Sequence, residues 1–200
     1  MLVDIGARKT EIFVFKEGLL KHFSFALIGG ERMTERVAQA LKVTFALAED
    51  VKRSYVRLSE VSGKTANDEI LIKKEQGLVP VKRAELNQVV FEEARSLIEQ
   101  IRQAIIASGY EGQLKAGVVV AGGGALLTGF MEMMEAELKM PVVMARNIQG
   151  LNNASLYAVA TSLAEAGYRG SLRYVFDTRK PKDWFDVIGS KIQELCNEYF

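Results

Sequence analysis

The sequence predicts an α/β protein built on a mixed β-sheet with helices on its faces. Strand patterns that can pair as hairpins come first, and strands and helices then alternate along the chain. Residues 118–120 are wholly apolar, which is typical of a central strand covered on both faces. The length of 200 residues, with 48% hydrophobic and 26% charged side chains, suits one globular domain or two small ones.

The first three predicted elements are strands. In the opening strand, apolar residues alternate with Asp4, and Gly6 breaks the run. The pair Glu17-Gly18 favours a hairpin between the second and third strands. We predict these strands over residues 2–6, 11–16 and 19–28.

Helical spacing of apolar residues dominates the middle of the chain. After Gly29-Gly30, a helix carries Met33, Val37 and Leu41 on one face. The further predictions here are a helix over 46–57, a polar loop over 59–68, a strand over 69–74 and the longest helix, over 83–107.

The last part of the body alternates strands with helices. Its apolar central strand leads into three consecutive glycines, which predict a turn. We predict the strand over 118–120, the turn over 122–124, a helix over 130–139, a strand over 141–144 and a helix over 154–167.

Two loops have the composition of anion-binding turns. Asp4 stands at a strand end beside Gly6, where a carboxylate and backbone N–H groups can meet a phosphate or its metal. The glycines 122–124 let the backbone pass against a flat ligand, and the N–H groups of a following helix can face an anion. Taken singly, a tight turn explains the glycine loop equally well, and a capping aspartate is the commoner explanation of the Asp4 loop.

Taken together, the two loops indicate a narrower class of proteins than either loop does alone. The segments "LVDIGARKTEIFVFKEG", "IGGERMT", "AEDVKR" and "AGVVVAGGGALLTGF" resemble the second half of an actin-like ATPase, over residues 2–167. The resemblance implies the actin-like (RNase H-like) fold with bound ATP and Mg²⁺. It assigns phosphate binding to Asp4, Gly6 and Thr10. It assigns the adenosine site to Gly29, Gly30, Glu49, Lys52, Gly122, Gly123, Gly124 and Ala125.

Within this superfamily the chain is most similar to the FtsA family, which links the FtsZ ring to the membrane in bacterial cell division. "GLNNASLYAVATSLAEAGY" resembles the last body helix of that family. The resemblance implies three partners: the FtsZ C-terminal peptide, further copies in a filament, and the inner face of the cytoplasmic membrane. MreB shares the loops, a PilM-like scaffold of pilus or secretion machinery is the alternative, and a sugar kinase is a distant third.

Two features depart from the family pattern. Ala7, Arg8 and Lys9 occupy the places of two glycines and a threonine in the second phosphate loop, and Thr10 comes one position late. An actin-like ATPase also holds its nucleotide between two homologous halves, whereas this sequence begins with the second. We therefore expect a fragment that binds ATP weakly and does not hydrolyse it.

The resemblance also suggests a division into domains. The core covers residues 1–57 and 109–168, a small subdomain with the long helix covers 58–108, a basic linker covers 169–182, and an amphipathic helix covers 183–200. On the polar face of the long helix, Arg95 and Arg102 are candidates for binding the FtsZ peptide, because arginine can hold a carboxylate through two hydrogen bonds.

Apolar residues recur at helical spacing in the final 18 residues and predict a membrane-binding face. They are Trp184, Phe185, Ile188, Ile192, Leu195 and Tyr199. The basic stretch before this helix favours binding to an anionic membrane surface. The alternative is a last helix packed on the body of the protein, which the excess of acidic residues in the helix favours.

Several classes of function are disfavoured. A formal net charge of +1 predicts no strong attraction to nucleic acid. The single cysteine, Cys196, excludes an internal disulfide and suits a reducing cytoplasm. No metal-ligand spacing occurs, and His22 as the sole histidine leaves no credible nucleophile–base pair. We therefore predict no catalytic residue, and a cytoplasmic protein peripheral to the membrane.

Overall fold

The structure, a computed structural model, describes residues 1–60, 68–74, 77–145 and 157–168. The chain divides into two compact units, Met1–Ala158 and Val159–Phe200. The described strands and α-helices are, in chain order, β1 (Leu2–Ile5), β2 (Thr10–Lys16), β3 (Leu19–Ala26), α1 (Gly30–Leu41), α2 (Phe45–Tyr55), β4 (Glu69–Lys74), β5 (Gly77–Lys82), α3 (Arg83–Ser108), β6 (Val118–Ala121), α4 (Phe130–Leu138), β7 (Val142–Met144) and α5 (Ala158–Tyr168).

A five-stranded mixed sheet organises the first unit. Its strand order is β3-β2-β1-β6-β7, with β3, β2 and β1 antiparallel and with β1, β6 and β7 parallel. Leu2 of β1 lies opposite Phe13 of β2 on one side and opposite Val119 of β6 on the other. The predicted mixed sheet is confirmed, and it brings the carboxyl ends of β1 and β6 together at one edge.

One face of the sheet forms the hydrophobic core with helices packed on it. Val3, Ile12 and Val120 are at most 1% exposed and belong to the same cluster as the buried stripe of α3. This long helix contacts α1, α4, β2 and β3. Its apolar stripe is thus buried in the core of the first unit, and the separate subdomain over 58–108 stays a prediction.

Most predicted elements agree with the structure within a few residues, and β5 is the exception. The sequence analysis assigned no strand to residues 77–82, yet β5 pairs antiparallel with β4 in a second, two-stranded sheet. Pro80 of β5 lies opposite Leu71 of β4. A two-stranded ribbon tolerates proline because each strand has a free edge, where a missing N–H breaks no ladder bond.

Smaller differences concern turns and ends. The third strand ends at Ala26 rather than at residue 28, and the glycine turn continues as a 3-10 helix over Gly123–Leu126. The last body helix is described over Ala158–Tyr168. The predicted linker over 169–182 and the predicted helix over 183–200 lie outside the described residues. Within the described part, no helix is both long and apolar enough to span a bilayer.

Candidate functional site

A cleft of about 580 Å³ opens at the edge where β1 and β6 end. Residues from three separate stretches of the chain line it. Those that the sequence analysis assigned to nucleotide binding are Gly6, Gly30, Glu49, Lys52, Gly123 and Gly124. The structure therefore brings together six residues that are up to 118 positions apart, from Gly6 to Gly124.

The cleft has further lining residues that sequence reasoning missed. Phe45 and Arg53 lie one helical turn before and after Glu49 on α2. A signal for both was available, since residues four apart share one face of a helix. The remaining lining residues are Ala7, Glu31, Met33, Leu126 and Leu127.

The loop between β1 and β2 is tied to the beginning of α1. The N–H of Gly6 donates to the carbonyl oxygen of Lys9 at 3.0 Å, which closes the loop. The carbonyl oxygens of Gly6 and Ala7 accept from the N–H groups of Gly30 at 3.0 Å and Glu31 at 2.8 Å. These two hydrogen bonds join the loop to the first residues of α1, so that both form one wall of the cleft.

Glycine is required where these walls touch each other. A Cβ atom on Gly29 would lie 2.5 Å from the carbonyl oxygen of Gly6. A Cβ atom on Gly122, whose φ is +86°, would lie 2.4 Å from Oδ1 of Asp4. Gly29 and Gly122 are outside the lining of the cleft, and their small size lets the loops behind it approach closely.

Three other predicted residues also lie outside the lining of the cleft. Thr10 is fully buried, and its hydroxyl donates to the carbonyl oxygen of Ile28 at 2.8 Å, so it holds the beginning of β2. Ala125 is 2% exposed within the 3-10 helix. Asp4 is half-buried beside Gly122, and burial followed by the charge of Glu11 raises the pKa of its carboxyl, against an opposing effect of Lys9. Their nucleotide roles stay predictions.

Lys52 is the centre of a polar network in the wall of the cleft. Its side chain is largely buried, and its ammonium group donates to the carbonyl oxygen of Gly30 at 3.0 Å and to Oγ1 of Thr34 at 2.7 Å. It also forms an ion pair with Oε2 of Glu49 at 2.7 Å. All three protons of the ammonium group therefore have an acceptor, as burial of a charge requires.

Glu49 is held in its ionised form. Burial by itself raises the pKa of this carboxyl, but hydrogen bonds from Lys52 and Thr34 and the charges of Lys52 and Arg53 outweigh it, so that the pKa is lowered overall. The side chain is 33% exposed. The cleft thus carries a fixed carboxylate on one wall and a backbone surface of glycines on the others.

Arg95 and Arg102 lie together in a different place. They line a shallow depression between α3 and α4. Both arginines are engaged by Glu137 of α4, whose carboxylate is 3.4 Å from Nε of Arg95 and 3.3 Å from an Nη of Arg102. Arg102 also donates to the carbonyl oxygen of Glu137 at 2.7 Å. A peptide carboxylate would therefore compete with Glu137 for these two side chains.

Two further predictions concern metals and the tail. Among the described residues, no group of three or more histidine, cysteine, aspartate or glutamate side chains could hold a metal ion. The six residues of the predicted membrane-binding face, from Trp184 to Tyr199, lie outside the described residues.

Comparison with known families agrees with this geometry. The model of the family described as cell division protein FtsA matches residues 1–164. The chain belongs to the FtsA family. It is 32% identical over 144 residues to the cell division protein FtsA of Pseudomonas aeruginosa, a match that covers 70% of this chain and 34% of that protein. The chain therefore spans about a third of the length of this FtsA relative.

Solved structures with the same fold belong to actin-like proteins. MreB5 of Spiroplasma citri bound to AMPPNP has a TM-score of 0.67 at 17% identity, covering 88% of this chain and 55% of MreB5. A PilM–PilN type IV pilus biogenesis complex has a TM-score of 0.60 at 17% identity, covering 83% of this chain and 45% of the other. Likeness at this identity shows the actin-like fold, while the family match favours FtsA over the PilM-like alternative.

Proposed function

We propose that this chain is part of an FtsA-type adaptor that binds ATP, self-associates into filaments and tethers FtsZ to the inner face of the cytoplasmic membrane. The observation that carries the nucleotide part is the cleft itself. Gly6, Gly30 and Gly124 come from three separate stretches of the chain and meet around one opening, with Glu49 and Lys52 in its wall. Because the chain spans about a third of its FtsA relative, every activity of the whole protein belongs to the proposal.

The chemistry of the cleft suits a nucleoside phosphate. The backbone of Gly123 and Gly124 offers a surface without side chains, against which a flat base can lie. The ionised carboxylate of Glu49 accepts hydrogen bonds from sugar hydroxyls. The loop at Gly6 and Ala7 lies on the same cleft and is the candidate for the phosphates. The AMPPNP bound to the structurally similar MreB5 supports this choice of ligand.

Asp4 is the candidate for holding the Mg²⁺ that accompanies ATP. It is the last residue but one of β1, just before the phosphate-type loop, and carboxylate oxygen is a ligand that Mg²⁺ prefers. The ion would neutralise phosphate charge when bound. The raised pKa of Asp4 also fits this role, because burial and Glu11 outweigh the charge of Lys9 and a metal ion would favour the ionised carboxylate.

We expect the isolated chain to bind ATP weakly and not to hydrolyse it. The cations of the loop are partly neutralised, since Arg8 pairs with Glu31 at 3.0 Å and Lys9 pairs with Glu11 at 2.7 Å. Side chains at Ala7 and Arg8 also restrict the loop where the family pattern has glycines. Phosphoryl transfer depends almost wholly on positioning and electrostatics, which we do not expect this loop to supply by itself.

A nuclear magnetic resonance titration tests the nucleotide site. With ¹⁵N-labelled chain and Mg·ATP, we expect shifts of the amide signals of Gly6, Gly30 and Gly124, which line the cleft. Gly18 and Gly109, at turns elsewhere on the surface, are internal controls. Titration with Mg²⁺ and inorganic phosphate separates nucleoside binding from anion binding. Unchanged cleft signals at millimolar ATP, or turnover that Asp4→Asn abolishes, would contradict the proposal.

The adaptor role rests on two further surfaces. Arg95 and Arg102 lie in one depression and can receive an FtsZ C-terminal peptide if its carboxylate displaces Glu137. Residues 183–200 supply an apolar face for the membrane, with the basic residues of 169–182 before it.

A further inference from the structure

Thr34 connects the two helices that form the wall of the cleft. This α1 residue is fully buried, and its hydroxyl lies 3.1 Å from the carbonyl oxygen of Gly30 and within hydrogen-bond distance of Oε2 of Glu49 on α2. The ammonium group of Lys52 donates to the same hydroxyl. The sequence patterns predict no role for Thr34.

The hydrogen-bond arrangement follows from the number of protons. A lysine ammonium can only donate, so the Thr34 hydroxyl accepts from Lys52 and has a single proton left to give. The carbonyl oxygen of Gly30 already accepts from Lys52 at 3.0 Å. The carboxylate of Glu49 is the stronger acceptor of the two candidates, because it is charged. The proton of Thr34 therefore goes to Glu49.

This arrangement makes the two carboxylate oxygens of Glu49 different. Oε2 receives Thr34 and Lys52 together. Oε1 has no hydrogen-bond partner within the described ranges of the chain, and the side chain is partly exposed where it lines the cleft. With one oxygen held by two donors, the carboxylate cannot turn freely, and the other oxygen is left as an acceptor for a ligand.

We propose that Thr34 is a positioning residue that directs Oε1 of Glu49 into the cleft, where it selects ligands with a sugar hydroxyl at that place. The inference rests on the proposed nucleotide site and adds the residue that sets its selectivity. Loss of the Thr34 hydroxyl leaves Lys52 to hold Glu49 alone and lets the carboxylate rotate. Affinity for a ribonucleotide then falls, while affinity for an analogue without the hydroxyl changes little.

The test compares Thr34→Val, which has nearly the same shape but no hydroxyl, with Thr34→Ser, which keeps the hydroxyl. Binding of Mg·ATP and Mg·2′-deoxy-ATP is measured by calorimetry or by NMR shifts. We expect the wild-type chain and Thr34→Ser to prefer ATP, and we expect Thr34→Val to lose about tenfold in ATP affinity and most of this preference, as for a hydrogen bond to a charged group. An unchanged preference in Thr34→Val overturns the inference.

A second readout separates this inference from the nucleotide proposal. The side-chain carboxyl signal of Glu49 is followed by ¹³C NMR as the pH changes, without nucleotide. We expect the pKa of Glu49 to rise in Thr34→Val and to return in Thr34→Ser, because a donor to the ionised form is lost and restored. Equal titration in all three proteins overturns the role of Thr34. Absence of ATP binding in the wild type, with the titration shifted, overturns only the nucleotide proposal.

If Thr34→Val does not fold, Glu49→Gln tests the part of the inference that assigns ligand selection to Glu49. This change removes the charge that Thr34 orients while leaving Thr34 and Lys52 in place. We expect its preference for ATP over 2′-deoxy-ATP to be lost. Retained preference overturns the inference.

Discussion

Asp4 and Glu49 respond to their surroundings in opposite directions. Burial and Glu11 raise the pKa of Asp4, so its ionised form is disfavoured in the folded state. Lys52 and Thr34 outweigh burial at Glu49 and lower its pKa, so its ionised form is favoured there. The two carboxyls therefore affect stability with opposite sign as the pH changes.

Thermal unfolding between pH 3 and 8 measures this difference. The penalty at Asp4 is present above its raised folded pKa and disappears as the pH falls through that value, so Asp4→Asn should raise Tm at pH 7 and have no effect below about pH 3.9. The stabilisation at Glu49 is complete above about pH 4.3 and is lost as the pH falls below that value. Glu49→Gln should therefore lower Tm at pH 7, and the loss of Tm should become smaller as the pH falls.

Glu85→Gln, at an exposed carboxylate in the first turn of α3, supplies the baseline for these scans. Effects of the same sign at Asp4 and Glu49 at pH 7 would contradict the assignment of their environments.

Gly29 and Gly30 are adjacent but have different constraints. A methyl group on Gly29 meets the backbone of Gly6 and Ala7 at 2.5–2.8 Å, so Gly29→Ala should destabilise the protein by about 1–3 kcal/mol through displacement of the loop. A methyl group on Gly30 has no neighbour closer than 3.8 Å, and alanine favours the helix, so Gly30→Ala should be neutral or slightly stabilising. Urea unfolding of both variants measures this, and equal losses would refute the distinction.

The long helix α3 connects the packed elements of the first unit through ion pairs at two places. Glu93, with 14% side-chain exposure, pairs with Arg32 and Arg36 of α1. Nearer its end, Arg102 binds the last-turn carbonyl oxygen of α4 at Glu137. The second contact supplies a donor at a helix end, where carbonyl groups lack partners within the helix.

Binding of a synthetic FtsZ C-terminal peptide tests the depression between α3 and α4. Arg95→Ala should lower peptide affinity about tenfold by loss of a charge-assisted hydrogen bond, while stability changes little, because this arginine is 65% exposed. Arg102→Ala should lower both affinity and stability, since it also removes the donor to α4. Fluorescence anisotropy with labelled peptide and urea unfolding give the two quantities.

Lys82→Ala is the matched control, because it removes an exposed cation before α3 outside the depression. If affinity is unchanged in both arginine variants, the peptide site lies elsewhere.

At the scale of the whole molecule, the open question is whether residues 183–200 bind membrane. Burial of a large apolar side chain contributes about 1.5–3 kcal/mol when complete and much less on partial insertion. The entropy of ordering 18 residues and the acidic residues of the segment oppose it. One tail should therefore bind reversibly, and a filament with many tails should bind firmly.

Flotation of the intact protein with liposomes containing anionic lipid measures this. Trp184→Glu with Ile192→Glu should abolish flotation, because it places two charges on the apolar face. Ser190→Glu with Asn197→Glu adds the same charge to the opposite side of the predicted helix, and this variant should retain most of the flotation. If both double variants float alike, or the unaltered protein does not float, the tail has a structural role.

Local sequence patterns were sufficient to predict most of the fold. The alternation in β1 and β2, the helical spacing of α1 and α3, and the apolar run of β6 each depend on residues only a few positions apart. The glycine loops, read together, also pointed to the actin-like superfamily, and the resemblance of later segments pointed to the FtsA family, which the family match confirms. β5 was not predicted, because Pro80 disfavours a strand. Only the pairing with β4 shows that residues 77–82 form one.

The sequence by itself determined the class of sheet, the family and the residue types of the cleft. The tertiary structure alone decided which of those residues meet. It buried Thr10 against Ile28, set Arg95 and Arg102 against Glu137, and joined Thr34 to Lys52 over 18 positions. The physical reason is that strand and helix periodicity depends on residues that are close in the sequence. A hydrogen-bond partner depends instead on how distant elements pack, which the local spacing of residues does not predict.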